Sequence, residues 1–373
     1  MVRMEGPMPI MDDLALSGHA FYVGEHAAGL RACERVLSSI TTDEDEAKAR
    51  RNRTWYTPTL ADLVGFQNVE WSRIDARPPN PGWSLFNPSV CADDDGSLLC
   101  IVRSSNYRIV EGGRYVMPPE DNGRIRTRNV LVRMRTRPKV EEISSMEILG
   151  PDYPQSDFPI EGLEDLRLFR HGDQWKVSGT VCNVLGADCT RRIATATLLP
   201  DVGILCDFAL MPEVVPGRNE KNWMPIPGGE EWVYSCWEDG QTAAVRADGM
   251  LSSGGPPAPL IARGFRGGSQ VVDAGGGEYI ACVHEVATLK DGTRVYEHRF
   301  VMFEENVDGF RISGISKPFV FQEKRSIEFC AGAAMTEMWG GRPSLALSYG
   351  VRDAEAWIAF VDPWAVKNVI RRV

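Results

Sequence analysis

Five hairpins of one design recur along this chain, and that repeat constrains the fold more than any other feature. Each has a short first strand, a polar turn carrying glycine or aspartate, and an apolar second strand. The turns are Asp93-Asp94-Asp95-Gly96, His171-Gly172-Asp173, Gly228-Gly229-Glu230-Glu231, Gly275-Gly276-Gly277 and Gly340-Gly341. The strands behind them cover 97–103, 174–180, 232–237, 278–284 and 344–349, with apolar residues such as Leu98, Trp175, Val233, Tyr279 and Leu345. Each unit is a strand-turn-strand signal, and regular repetition of one unit points to a radial array. About 60 residues per copy suits a four-stranded blade with its loops. The expected fold is therefore all-β, a five-bladed β-propeller over 83–373. A meandering β-sandwich, the alternative, has no need of five similar hairpins.

The first 82 residues read as an N-terminal helical extension. Ala27, Leu30, Cys33, Leu37 and Ile40 recur at helical spacing, which predicts one amphipathic helix over 24–40. The run Asp43 to Arg53 is dense in charge and is expected to be solvated. Thr59 to Phe66 is read as a second short helix, and Pro78-Pro79-Asn80-Pro81-Gly82 ends the segment. Covering a rim of the propeller or making a homo-oligomer contact is the role expected of it.

Charge and motif content narrow the function. With 41 Lys and Arg against 51 Asp and Glu, the net charge is −10, which speaks against nucleic acid as a partner because phosphates are neutralised by basic surfaces. No apolar run approaches the ~18 residues of a membrane span. Met1 to Asp13 lacks the apolar stretch of a secretory signal. Nine cysteines without close pairing fit reduced thiols, so a cytoplasmic location is expected. Phosphate-loop, dinucleotide-binding, C-x-x-C and H-x-x-x-H patterns do not occur, so neither a bound cofactor nor a metal is expected.

Hairpin geometry then gathers candidate site residues. The start of a first strand and the end of the second lie at the same end of a hairpin. Five such ends around one channel mouth bring together Asn87, Arg103, Glu164, Asp165, Arg167, Lys221, Asn222, Ser269, His284, Glu285, Glu328, Tyr349 and Asp353. The opposite ends hold ordinary turn residues. A funnel of carboxylates, cations, amides and aromatics suits a carbohydrate or a small anionic substrate.

These motifs resemble glycoside hydrolase family 130, inverting β-mannoside phosphorylases and hydrolases built as five-bladed β-propellers. The resemblance runs as an ordered ladder from Phe86 to Asp362. Phe86-Asn87-Pro88 with Ile101-Val102-Arg103 is similar to the first-blade Asn-Pro and Tyr-Arg pair. Glu164-Asp165-Leu166-Arg167 resembles Glu-Asp-Pro-Arg, with Leu in place of Pro. Lys221-Asn222 to Pro225 resembles a Lys-(Asp/Asn)…Pro motif. Gly267-Gly268-Ser269 with Tyr279 to His284 resembles a glycine-rich entry and a strand ending in Tyr-His. Cys330-Ala331-Gly332-Ala333 with Tyr349-Gly350-Val351-Arg352-Asp353 resembles the last blade. Tyr296 to Phe300 departs from the family's Tyr-Arg-x-Gly, and the helical extension is no core part of it.

The resemblance implies inverting phosphorolysis of a β-mannoside-type oligosaccharide, with inorganic phosphate as co-substrate. Asp165 is then the acid that protonates the leaving oxygen. An anionic nucleophile needs no strong base, so one acid and a basic cradle suffice. Lys221, His284, Arg191 or Arg192, and Arg299 are the cradle candidates. Asn87, Arg103, Glu164, Arg167, Asn222, Ser269, Tyr349 and Asp353 are the sugar-binding candidates, with Glu285 and Glu328 beside them. If Glu285 and Glu328 face the funnel, one would serve as base on a water, and the chain would be a hydrolase. Arg124, Arg126 and Arg128 share strand parity with Val130, Val132 and Met134 and form a second cationic row, the place for a sugar-nucleotide donor in a glycosyltransferase. A non-catalytic sugar-binding propeller is the fourth reading.

Overall fold

In the computed structural model, residues 10–184, 190–253, 255–306 and 309–373 are described. Residues 1–9 of the N-terminus and Cys189 lie outside that set. The eight described cysteines are free thiols, and no described helix is long and apolar enough to cross a membrane.

Five antiparallel sheets of four or five strands make the blades of the propeller. From inner to outer strand, blade 1 runs Ser84–Ala92, Leu98–Ser105, Ile125–Arg135 and Glu141–Ile148. Blade 2 runs Leu163–His171, Gln174–Val181, Arg192–Leu199 and Ile204–Leu210. Blade 3 has a very short inner strand, Met224–Pro225, then Glu231–Glu238, Gln241–Arg246 and Leu251–Ser253. Blade 4 runs Val272–Gly275, Glu278–Thr288, Arg294–Asn306 and Gly309–Ser316, with Ile370–Arg372 added at its rim. Blade 5 runs Glu328–Met338, Arg342–Val351 and Glu355–Val361, and its outer strand is Val69–Arg73.

That last strand lies inside the segment read as helical extension. Val69 pairs with Val361 and Arg73 with Trp357, so the N-terminal part of the chain closes the ring by completing the final blade. Pairing removes an open edge that would otherwise invite other strands. Only its partner strand, nearly 290 residues away in sequence, makes the five residues a strand, which is why the Pro-rich punctuation at 78–82 marked the wrong boundary.

The second strand of blade 1 is buried along its whole length on both faces, which explains its continuous apolar run. In Leu98 to Val102, Leu98, Cys100 and Val102 pack with Ala346, Ile358 and Phe360 of blade 5. The intervening Leu99 and Ile101 pack with Leu168, Val177 and Ala196 of blade 2. The two-residue alternation of side chains thus feeds two interblade cores from one strand.

Among the described residues four α-helices precede the ring: α1 (Ile10–Tyr22), α2 (His26–Leu37), α3 (Asp43–Arg53) and α4 (Leu60–Val64). Helix α2 sits inside the 24–40 expectation, and α4 opens on a Thr59/Asp62 capping box. The 43–53 run departs from expectation. It is a helix with Thr42 as N-cap, four acids in its first turn and Arg50, Arg51 and Arg53 in its last, an order that suits the helix dipole. Arg50 and Arg53 are buried against blade 4 rather than solvated.

Candidate active site

The inner strands open into a polar cavity of ≈ 440 Å³ at one mouth of the channel. Its shape comes from irregular backbone. Asn87, Asp165 and Asn222 stand where blades 1 to 3 enter the channel, with φ of 48°, 49° and 63°. Asn and Asp tolerate this left-handed region better than most residues. Pairing slips a register between Phe86 and Ser89, and again opposite Ser178 and Thr180. Each bulge re-aims a side chain that a regular strand would have kept in the ladder. Gly350 lets blade 5 approach this turn, because a Cβ there would stand 2.1 Å from Asn87 Oδ1.

One end of the cavity is built around Arg103. Its guanidinium pairs with Glu164 at 2.6 Å and Asp165 at 3.0 Å. Asp165 Oδ1 also accepts from Asn87 Nδ2 at 3.0 Å. Burial disfavours charge on Asp165, but Arg103, the Asn87 amide and Arg167 outweigh it and hold the carboxyl below its ordinary range. Asp353, at φ 50°, accepts the Tyr107 hydroxyl at 2.7 Å. Burial raises its proton affinity, with Arg103 and that hydroxyl opposing.

The other wall is cationic. Arg191, Lys221, Arg266 and Arg294 line it, and none makes an ion pair among the described residues. Arg294 donates to Tyr115 Oη at 2.6 Å. Burial and the neighbouring Arg191 lower the proton affinity of Lys221, with Asp165 pulling the other way. His284 stacks on Tyr296 with ring centroids 5.0 Å apart. Burial, then His298, Arg266, Arg167 and Lys221, push its proton affinity well down, so the imidazole is neutral at physiological pH.

Nine of the expected residues therefore line one cavity: Asn87, Arg103, Glu164, Asp165, Arg191, Lys221, Asn222, His284 and Asp353. The others lie elsewhere. Arg167 is fully buried beneath the floor, donating to the Gly268 and Asp165 carbonyls and to Asn222 Oδ1; burial brings it down to about 10, still protonated at neutral pH. Ser269 accepts from the Cys282 N–H and donates to the Gln270 carbonyl, repairing the broken inner strand of blade 4. Tyr349 is buried under a Gln322 hydrogen bond and stacks on Phe321 at 3.9 Å. Arg192 turns outward to Glu213 at 3.0 Å. Glu285 and Arg299 face the N-terminal helices, paired with each other at 2.6 Å. Arg124 and Arg126 pair with Glu161 and Asp121, and Arg128 with Glu147, on the side away from the cavity that Ile125 lines.

Glu328 is buried and accepts the backbone N–H groups of Phe321, Gln322 and Glu323 at 2.6–2.9 Å. It clamps the loop that carries Ile327 to the cavity. Burial outweighs these three donors and raises its carboxyl from 4.5 to about 7. The folded state then holds this proton more tightly than the unfolded chain, so Glu328 lowers stability as pH rises from about 4.5 to 7. Urea midpoints for Glu328→Gln are expected to lack that pH dependence; identical pH curves for both proteins would contradict it.

Tyr107, Tyr115, Arg266, Arg294 and Tyr296 also line the cavity and were not among the expected site residues. Tyr115 belongs to an excursion hairpin, Arg108–Val110 with Arg114–Val116, that reaches from blade 1 to Arg294 of blade 4. A Tyr-rich insertion between the second and third strands of a blade was the available signal.

Fold and site together define a five-bladed β-propeller with a half-acidic, half-cationic funnel. The same fold occurs in the β-1,2-mannobiose phosphorylase of Listeria innocua, solved with β-1,2-mannobiose, at 13% identity and a TM-score of 0.50 over 84% of this chain and 98% of that one. Weaker likenesses include the mannose phosphorylase MPT-4 of Leishmania mexicana in complex with a phosphate ion, at 12% identity and TM-score 0.45 over 79% and 88%. A GH43_1 enzyme from Xanthomonas citri matches at 12% and 0.45 over 80% and 91%. No protein-family model matches the sequence, and no curated protein does.

Proposed function

We propose that this chain is a carbohydrate-active enzyme catalysing inverting phosphorolysis of a β-mannoside-type oligosaccharide, releasing a sugar 1-phosphate. The observation that carries the reading is a wall of cations, Arg191, Lys221 and Arg266, that have no ion-pair partner among the described residues and share one cavity with Asp165 and Asp353. Such cations suit a multiply charged oxyanion. The fold shared with a mannobiose phosphorylase supports the choice of substrate class.

In this mechanism phosphate, held by the three cations and neutral His284, attacks the anomeric carbon. The glycosidic C–O bond breaks on the opposite face, and the leaving oxygen takes a proton supplied by Asp165. In the free protein Asp165 is ionised. A phosphate dianion arriving in the same buried cavity raises its proton affinity, so the nucleophile itself arms the acid. Asn87, Asn222 and Asp353 bind sugar hydroxyls. The carboxylates expected to activate a water in a hydrolase, Glu285 and Glu328, do not line the cavity.

The test is a mass-spectrometric screen of β-mannosides with and without inorganic phosphate. Phosphate-dependent sugar 1-phosphate is the expected product. Free sugar without phosphate would replace this reading by hydrolysis with Glu164 or Asp353 as base. Silence in both arms would exclude both and leave sugar-nucleotide transfer or sugar binding alone. A sharper prediction concerns Lys221→Ala. It should raise the KM for phosphate about tenfold or more, a loss of the size expected for a hydrogen bond to a charged group, with little change in the KM for glycoside. Equal effects on both would move Lys221 to the sugar.

A further inference from the structure

Strands Glu278–Thr288 and Arg294–Asn306 of blade 4 carry different chemistry on their two faces. Their register sets His284 opposite His298, Glu285 opposite Glu297 and Val286 opposite Tyr296. Because side chains alternate across a sheet, His284 and Tyr296 share the face that opens on the cavity. Glu285, Glu297 and Arg299 share the other, and there α2 and α3 dock.

The contact is a network of buried charge. Arg50 reaches Glu285 at 2.6 Å. Arg53 reaches Glu285 at 3.0 Å, Glu297 at 2.8 Å and Glu34 at 3.1 Å. Arg299 reaches Glu285 at 2.6 Å and Glu34 at 2.7 Å. Thr57 donates its hydroxyl to the remaining oxygen of Glu297. The strands of blade 4 bring two carboxylates and one guanidinium to this network, and the helices bring Glu34, Arg50, Arg53 and Glu46, which pairs with Arg50 at 2.9 Å. On the strands Glu285 and Glu297 outnumber Arg299, and the helix guanidiniums supply the missing cations. A buried carboxylate without its cation is costly, so this face of the blade is complete only with the helices on it.

The same helix presses on a second segment of the site. Gly264 passes so close to Arg50 that a Cβ there would lie 2.0 Å from its Nη2. Its neighbour Arg263 pairs with Glu46 of α3. Two residues after Gly264, Arg266 lines the cavity, tied to His284 by paired backbone hydrogen bonds of 2.8 and 3.0 Å.

We propose that the N-terminal helical layer is a working part of the site, with Arg50 and Arg53 as positioning residues that set Arg266, His284 and Tyr296 on the anion-binding wall. Groups aimed at a bound anion act through orientation, and their supporting contacts control it. The kinetic side of this inference rests on the proposed phosphorolysis; its spectroscopic side does not.

The test uses full-length Arg50→Ala and Arg50→Lys proteins, since Arg50 sits at the edge of the network. Imidazole ¹H–¹⁵N spectra read the five histidines directly. The expected result is displacement of the His284 resonances in Arg50→Ala, with His171, in a turn of blade 2 at the far end of the channel, unmoved and Arg50→Lys close to wild type. In turnover, Arg50→Ala is expected to raise the KM for phosphate about tenfold and the KM for glycoside less than about twofold, as a small misplacement on one wall would. His284 resonances at wild-type positions would overturn the proposal, as would equal changes in both KM values. A wild-type protein indifferent to phosphate would sink the phosphorolysis reading alone and leave the spectral comparison standing. Should Arg50→Ala fail to fold, Arg50→Gln, which keeps a polar side chain but loses the charge, carries the spectral test with the same expected displacement of His284.

Discussion

Asp165→Asn is expected to lower turnover by about 10²–10⁴-fold, the range for losing a positioned general acid, while glycoside still binds. Asn is nearly the same shape, and its carbonyl oxygen can keep the Asn87 and Arg103 hydrogen bonds that now converge on Oδ1. What it cannot do is exchange a proton. The electrostatics make the test selective. Asp165 is held ionised in the free protein by Arg103, Asn87 and Arg167 against the pull of burial, so the variant also removes a negative charge from the cavity. Phosphate should therefore bind Asp165→Asn at least as tightly as wild type, while turnover falls. Calorimetric titration with phosphate, run beside the mass-spectrometric assay, separates the two effects. Full turnover in the variant would rule out Asp165 as the acid. Weaker phosphate binding would mean that the anion sits elsewhere.

Arg53→Met should destabilise the fold by about 3–5 kcal/mol, the cost of breaking a buried ion pair from one side. Arg53 is completely buried and touches three carboxylates, Glu34, Glu285 and Glu297. A methionine of similar length fills the space but leaves those carboxylates one cation short. Adding Glu297→Gln should recover part of the loss, because it removes the carboxylate that Arg53 engages twice. The double-mutant cycle in urea unfolding isolates that coupling. A loss below about 1 kcal/mol, typical of exposed pairs, would mean that the network is effectively solvated and that α3 lies loosely on blade 4.

Much of the propeller was legible because its signals are local. Glycine turns and apolar second strands repeat within each hairpin, and hairpin geometry alone put Asn87, Asp165, Asn222 and Arg103 at one mouth. The errors share a cause. Reading a strand end as a position, without its facing, placed both His284 and Glu285 in the funnel. Consecutive residues point to opposite sides of a sheet, and only His284 points inward. Arg191 and Arg192 divide in the same way, Arg192 turning out to Glu213. Glu328 reads as a catalytic carboxylate until its three backbone donors are seen. Those donors belong to a loop whose path no spacing in the chain predicts.

The sequence by itself determined the number of blades, their hairpins and the chemical character of the channel mouth, because turns, strand alternation and strand ends are properties of neighbouring residues. Tertiary structure alone decided which residues of each strand end reach the cavity and which stay behind it. It also made Val69–Arg73 the closing strand of the ring and turned the charged run of α3 into a buried clamp. Arg50 and Arg53 find their carboxylates 235 and 244 residues away. Charge in a sequence has no burial until a distant partner of opposite sign covers it.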